Sequence, residues 1–166
     1  MAKMTVGKGV GVTIDKFENV SKQLSNYMKP AIYKASGFMI KKINAALKSL
    51  EVVDGKNGLP PYAAPGSKLQ SISSVQKQDL INGLGIAGFS NDNGFLNVKI
   101  GFDGYGSYPT NSHPNGIPNV LLIRSLEKGT SFLKRNPVIT NTVNANRKQT
   151  EKILEDEFNK IITKEL

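Results

Sequence analysis

Apolar residues recur every three or four positions at Phe17, Val20, Leu24, Met28, Ile32, Ala35, Met39, Ile43, Ala46 and Leu50. That spacing is one face of an α-helix. Lys16, Lys22, Lys29, Lys34, Lys41, Lys42 and Lys48 fall mostly off the stripe. The pattern predicts a long helix over residues 15–50, with Asp15 as its N-cap and Glu18 as the capping-box partner. Pro30 removes one amide and disfavours helical geometry at Lys29, which predicts a kink or a break there.

The flanking segments have other periods. Residues 1–12 carry Gly7, Gly9 and Gly11 and few large side chains, and read as a flexible arm or a short edge strand. Their Gly-x-Gly-x-Gly run follows no predicted strand and lacks the Walker spacing, so it is not a phosphate loop. After the helix, Asp54-Gly55, Asn57-Gly58, Pro60-Pro61 and Pro65-Gly66 predict a long loop over 54–67. Leu69, Ile72 and Val75 alternate imperfectly and suggest a strand across 71–75. Residues 80–89 are punctuated by glycine but place Leu84 and Ile86 two apart. Asn91-Asp92-Asn93-Gly94 is a hairpin signal. Beyond it Leu96, Val98, Ile100 and Phe102 alternate with Asn97, Lys99 and Gly101, the clearest strand in the chain. Together these predict an antiparallel meander of about three strands.

A second long loop is predicted over 103–116, and it holds the only histidine, His113. Residues 118–128 read as a short helix, opened by Pro118 and ended by Gly129. Val120, Leu121, Leu122, Ile123 and Leu126 make it apolar nearly all round, so it is expected to be well buried. Residues 130–136 form a basic connector. A last helix is predicted over 137–164, with Asn136 as cap and Pro137 first, and with Val143, Thr150, Ile153, Leu154, Phe158 and Ile161 as its apolar stripe. The expectation is one α+β domain over residues 1–166: a long N-terminal helix and a C-terminal helix packed on a small antiparallel β-sheet.

Charge changes the picture more than composition does. Lys and Arg number 22 against 13 Asp and Glu, a net charge of +9. Residues 144–166 are balanced, so the whole surplus lies before them and suits a polyanion or an acidic protein partner. Cysteine is absent, which excludes a disulfide framework, a thiolate nucleophile and cysteine-ligated zinc. His113 has no spaced partner and reads as a turn residue. There is no Gly-x-Ser-x-Gly elbow, His-Glu-x-x-His or Walker motif. No catalytic role, cofactor or metal is therefore expected. No apolar run approaches the ~18 residues of a membrane span, and residues 1–8 hold no signal-peptide core. Function is expected to reside in surfaces, through assembly or binding.

Two segments carry a resemblance. Ser125-Leu126-Glu127-Lys128-Gly129-Thr130-Ser131, followed by Pro137-Val138-Ile139, resembles a pattern of the head–tail joining, or neck, family of long-tailed bacteriophages. That pattern is an apolar residue, Glu, usually Tyr, Gly-Thr-Ser, then a Pro-Phe-Leu-like triplet opening a C-terminal helix. Gly66-Ser67-Lys68-Leu69-Gln70-Ser71-Ile72 is similar to the family's Thr-Gly-x-Leu-x-x-Ser-Ile, with the Ser-Ile pair one residue closer. This chain departs from the pattern at Lys128, Val138 and Pro65, and by a longer insert over 104–115.

The resemblance implies a structural virion protein of the neck, made in the bacterial host cytoplasm, that completes the tail and joins it to the capsid connector. It implies a ring homo-oligomer, a hexamer or dodecamer, between head-closure proteins and tail terminator or tail-tube proteins, with DNA passing through unread and no membrane involved. A tail terminator ring is the neighbouring role. The candidate interface residues are Leu69, Ile72, Glu127, Gly129, Thr130, Ser131, Lys134, Arg135 and Pro137. In their own physical terms, Gly129 ends a helix and Thr130 and Ser131 can bond turn backbone. Glu127 either bonds that same turn or pairs with Lys134 or Arg135. The rival reading is a basic nucleic-acid-binding accessory protein. Against it, arginine occurs only at 124, 135 and 147, and aromatics are not interleaved with the basic residues.

Overall fold

The computed structural model describes residues 8–92 and 95–165, and for residues 8–25, 92, 95 and 165 the backbone alone. The apolar stripe forms helix α1 (Lys8–Ser49), which starts before the predicted cap. Asp15 is therefore interior to the helix, and residues 8–12 are its first turns, not an arm or edge strand. Each glycine there costs about 1 kcal/mol relative to alanine. Extending an existing helix still gains a bond for every residue fixed, whereas starting a new one does not. The predicted arm over residues 1–7 lies outside the described residues, as do the side chains of Phe17, Val20 and Leu24.

α1 passes Pro30 without the expected break. The lost bond is offset by the burial that follows at once: Ala31, Ala35, Met39, Ile43, Leu47 and Leu50 are buried. The stripe thus runs through Ala31 and Leu47, with the predicted Ile32 and Ala46 only half-buried at its edge. Lys29, Lys34, Lys41, Lys42 and Lys48 are exposed, as the periodicity predicts.

Where the sequence suggested a strand over 71–75, the chain enters helix α2 (Ser74–Gly83). The Ser73 hydroxyl accepts from the Gln76 amide at 3.3 Å, and the Gln76 side chain accepts from the Ser73 amide at 3.1 Å. This reciprocal capping box satisfies two amides that an extended segment would leave to a partner strand. Asp54 adds a third bond, its carboxylate accepting from the Ser74 amide at 2.6 Å.

The expected β region is a hairpin in two ladders. Strand β1 (Leu84–Ile86) pairs with β4 (Ile100–Phe102), and β2 (Ser90–Asp92) pairs with β3 (Phe95–Asn97), all antiparallel. Of the predicted turn Asn91-Asp92-Asn93-Gly94, Asn91 and Asp92 belong to β2, where Asp92 faces Phe95, and the rest lies outside the described residues. The single strand predicted over 96–102 is split. Ile86 faces Ile100 while Ser90 faces Asn97, so three residues on one arm oppose two on the other. That is a β-bulge, and it ends one ladder and starts the next.

Helix α3 (Asn119–Lys128) follows, with Pro118 as its N-cap and Gly129 at φ 75° as its C-cap. Only one side of α3 is buried, through Leu122, Ile123 and Leu126. Val120 and Leu121 are exposed, contrary to expectation, because the other side of the helix meets no part of this chain among the described residues. Helix α4 (Val138–Glu165) closes the fold. Its main neighbour is α1, while the hairpin meets α1, α2 and α3. Val138, Ile139 and Val143 pack on the core, and Glu157 further along reaches Lys34, so α4 runs back along α1.

The architecture is α+β. Its core joins Met39, Ile43 and Leu47 of α1, and Leu50 just after it, to Ile72, Leu80, Leu122, Ile123, Leu126 and Leu133. No described helix is long and apolar enough to cross a membrane.

Candidate functional site

Residues 66–72, singled out in the sequence, meet residues 132–134 of the connector that joins the other singled-out pieces, 125–131 and 137–139. The Leu69 amide donates to the Phe132 carbonyl at 2.8 Å, and the Lys134 amide donates to the Leu69 carbonyl at 2.9 Å. Leu69 and Leu133 thus form an isolated parallel bridge. Leu133 is buried and Ile72 is 2% exposed, both in the core, with Leu69 packed against it. Sequence reading did not single out Leu133. Its signal was the apolar pair Phe132-Leu133 in an otherwise polar connector.

Glu127 performs neither of the tasks expected of it. Its carboxylate accepts from the Ile139 amide at 2.7 Å, the Thr140 amide at 3.2 Å and the Thr140 hydroxyl at 2.6 Å. The first turn of any helix leaves amides without intrahelical partners. Here the Val138 amide bonds the Asn136 carbonyl, Glu127 takes the next two, and the Asn141 amide makes the first helical bond to the Pro137 carbonyl. A carboxylate also suits the positive end of the helix dipole. Glu127 therefore fixes how α4 leaves α3. No ion pair joins it to Lys134 or Arg135 among the described residues; Arg135 instead donates from Nε to the Glu127 carbonyl at 3.2 Å.

The turn between the two helices is built for this. Gly129 adopts a positive φ, and a Cβ there would sit 2.9 Å from the Arg135 amide nitrogen. The Thr130 hydroxyl accepts from the Leu133 amide at 3.0 Å and the Phe132 amide at 3.3 Å, as expected for a threonine turn. Ser131, Lys134 and Arg135 are exposed, although Arg135 turns its Nε back to the Glu127 carbonyl. Of the nine candidate residues, Leu69, Ile72, Glu127, Gly129, Thr130 and Pro137 hold the junction together. Ser131, Lys134 and Arg135 are what it displays.

Beside the junction lies a cleft of about 340 Å³. Its walls come from the last residue of α1, Ser49, from Leu50, Val52 and Val53 beyond it, and from Ser71 and Val138. Ser71 is 4% exposed, and its hydroxyl has no hydrogen-bond partner among the described residues.

The long loops are tied at their bases. Over 54–67, the Val53 amide bonds the Ile72 carbonyl at 2.9 Å and one 3₁₀ turn forms at Lys56–Gly58. Over 103–116, buried Asp79 of α2 accepts from the Ser107 amide at 2.8 Å and from its hydroxyl. Asn119 donates from Nδ2 to the Asp103 carbonyl at 2.7 Å and to the Asp79 carbonyl at 3.2 Å. Gly116 has φ 90°, and a Cβ on it would overlap the Gly106 carbonyl. Sequence reading missed Asp79 because it missed α2. His113 sits in a local turn with Thr110, and no group of three metal-ligating side chains exists among the described residues.

Comparison with protein-family models, with curated proteins and with solved structures gives no match.

Proposed function

We propose that this chain is a structural protein of the neck of a long-tailed bacteriophage or prophage, which completes the tail and joins it to the capsid connector as part of a ring. The observation that carries this reading is that the first family-like segment is bridged to the short connector that joins the two pieces of the second, between Ser131 and Pro137. They are about sixty residues apart in the chain, yet Leu69 is bridged to Leu133, and Glu127 of the same motif caps the helix that its Pro-Val-Ile triplet opens. A motif kept for such a junction sets the angle between α3 and α4, and hence the surfaces that a neighbouring subunit meets. The exposed Val120 and Leu121 of α3, beside the exposed Arg124 and Lys128, are the kind of surface an assembly covers. In a ring each subunit uses two different patches, one for each neighbour.

The test is genetic and then biochemical. Inactivating the gene is expected to leave heads and tails that do not join, and adding the purified protein to that lysate should restore joining. Normal joined, infectious particles without the protein would overturn the reading, as would its absence from purified virions.

A further inference from the structure

Two features of the chain remain without a use in that reading. One is the cleft beside Ser71. At about 340 Å³ it is roughly ten times the ~30 Å³ share of a single water. Its walls are mixed, apolar at Ala46, Leu50, Val52, Val53 and Val138 and polar elsewhere, with one buried hydroxyl lacking a partner among the described residues. Such a site suits a side chain with an apolar body and a polar tip. The other feature is Tyr62, which is fully exposed and leaves its whole ring in water. It stands in a loop stiffened by Pro60, Pro61 and Pro65, and Leu59 before them is extended at φ −78° and ψ 155°. A pre-ordered arm loses little entropy when it docks.

We infer that Tyr62 of one copy fills the cleft of a second copy, an inference that rests on the ring reading above and names one of its contacts. The tyrosine does not fill its own cleft, since it is fully exposed. Charge matches the two sides: residues 55–68 carry Lys56 and Lys68 and no acid, and the one charged residue lining the cleft is Glu51. The arm starts and ends at the rim, because Val53 before it and Gln70 after it both line the cleft. Every subunit therefore offers one arm and one socket. Exchange around a ring gives each subunit one neighbour on either side, and the phenol hydroxyl, donor and acceptor at once, is brought to the Ser71 wall.

The native chain has no cysteine, so disulfides can be placed at will. Full-length Tyr62→Cys is mixed with full-length Ser49→Cys and oxidised mildly at high protein concentration. A parallel mixture pairs Tyr62→Cys with Lys42→Cys, an exposed site outside the cleft. The inference predicts that the Ser49 pair cross-links between copies at least tenfold faster than the Lys42 pair. Equal rates would overturn it, and so would a Ser49→Cys cross-link in virions that goes only to a different protein. Tyr62→Ala, which cannot disturb the fold because the ring touches nothing, should remove protection of the Ser49→Cys thiol in concentrated protein; unchanged protection also overturns it. Failure here and failure of the neck reading are separable. Preferential cross-linking in a protein dispensable for head–tail joining keeps the exchange and discards the neck. An essential protein without preferential cross-linking does the reverse.

Discussion

The carboxylate of Glu127, on the last turn of α3, stands 2.7 Å from the amide of Ile139 on the first turn of α4. One side chain thereby ties the end of one helix to the start of the next. Glu127→Ala should lose about 1–2 kcal/mol, the range for removing a helix cap. For a chain of this length that is a fall in melting temperature of roughly 2–8 °C. Glu127→Gln, which keeps one acceptor oxygen, should lose less. Thermal melts by circular dichroism would show it, and an unchanged Glu127→Ala melt would mean that the cap carries no weight.

Asp79 makes a second prediction. It is buried and spends both oxygens on Ser107, forty residues before the Asn119 that bonds its own carbonyl. Asp79→Ala removes the acceptor of the Ser107 amide and hydroxyl; Ser107 is exposed, so water can take its place and the loss should be about 0.5–1.5 kcal/mol. The loop over 103–116 should then loosen first. Limited proteolysis should shift its earliest cut into that loop, ahead of 54–67. An unchanged cleavage order would contradict the role given to Asp79.

The phase of α1 is testable by a pair of substitutions. Met39 is buried, whereas Lys41, two residues on, is exposed. Met39→Asp buries an unpaired carboxylate and should cost several kcal/mol or abolish folding. Lys41→Asp should change stability little. Leu47→Ala should lose about 2–5 kcal/mol, since Leu47 is 0% exposed at the centre of the core. Denaturant midpoints that rank Leu47→Ala with Lys41→Asp would place the stripe elsewhere.

Glu157 gives a pH dependence. Hydrogen bonds from Lys160 and Lys34, each at 2.8 Å, hold its carboxyl below the usual glutamate range. A carboxyl lowered in the folded state adds stability above its unfolded pKa, and that share is lost as pH falls through the folded value. At neutral pH the native chain should therefore be slightly more stable than Glu157→Gln, with the gap closing on acidification below the normal glutamate range. Solvent reaches all three groups, so the effect should be small and should shrink in high salt. A gap that widens in acid would reverse the assignment.

The sequence made some of this legible, for physical reasons that differ by element. α1 shows because its stripe is long and its lysines avoid it. The hairpin shows because Asn91 to Gly94 is a turn-forming sequence and Leu96 to Phe102 alternate, although the bulge that splits the strand leaves no mark in that alternation. α2 was hidden because it buries little more than Asp79 and Leu80, so no stripe forms. Its sign was the Ser73-x-x-Gln76 box, set among polar residues that read equally well as loop. At the junction the residues were legible and their task was not. Glu127 sits on a helix end with basic neighbours, and nothing local says that its carboxylate crosses to Ile139. The exposed side of α3 misled for the opposite reason, since periodicity shows that a helix is apolar and not how much of it the rest of the chain covers.

The core also imposes an order in time. Leu47 packs with Leu126 and Leu133, which leave the ribosome roughly eighty residues later. At about 5–20 residues per second, the stripe of α1 waits roughly 4–16 s with its closing partners unmade. During synthesis α1 is thus a finished amphipathic helix without a core, and its nearest apolar neighbours on a crowded message are the α1 helices of other nascent chains. Chains stalled near residue 118 should bind a hydrophobic dye and lose that binding once extended past Leu133, so that the Leu69–Leu133 bridge marks the moment the newborn protein stops being sticky.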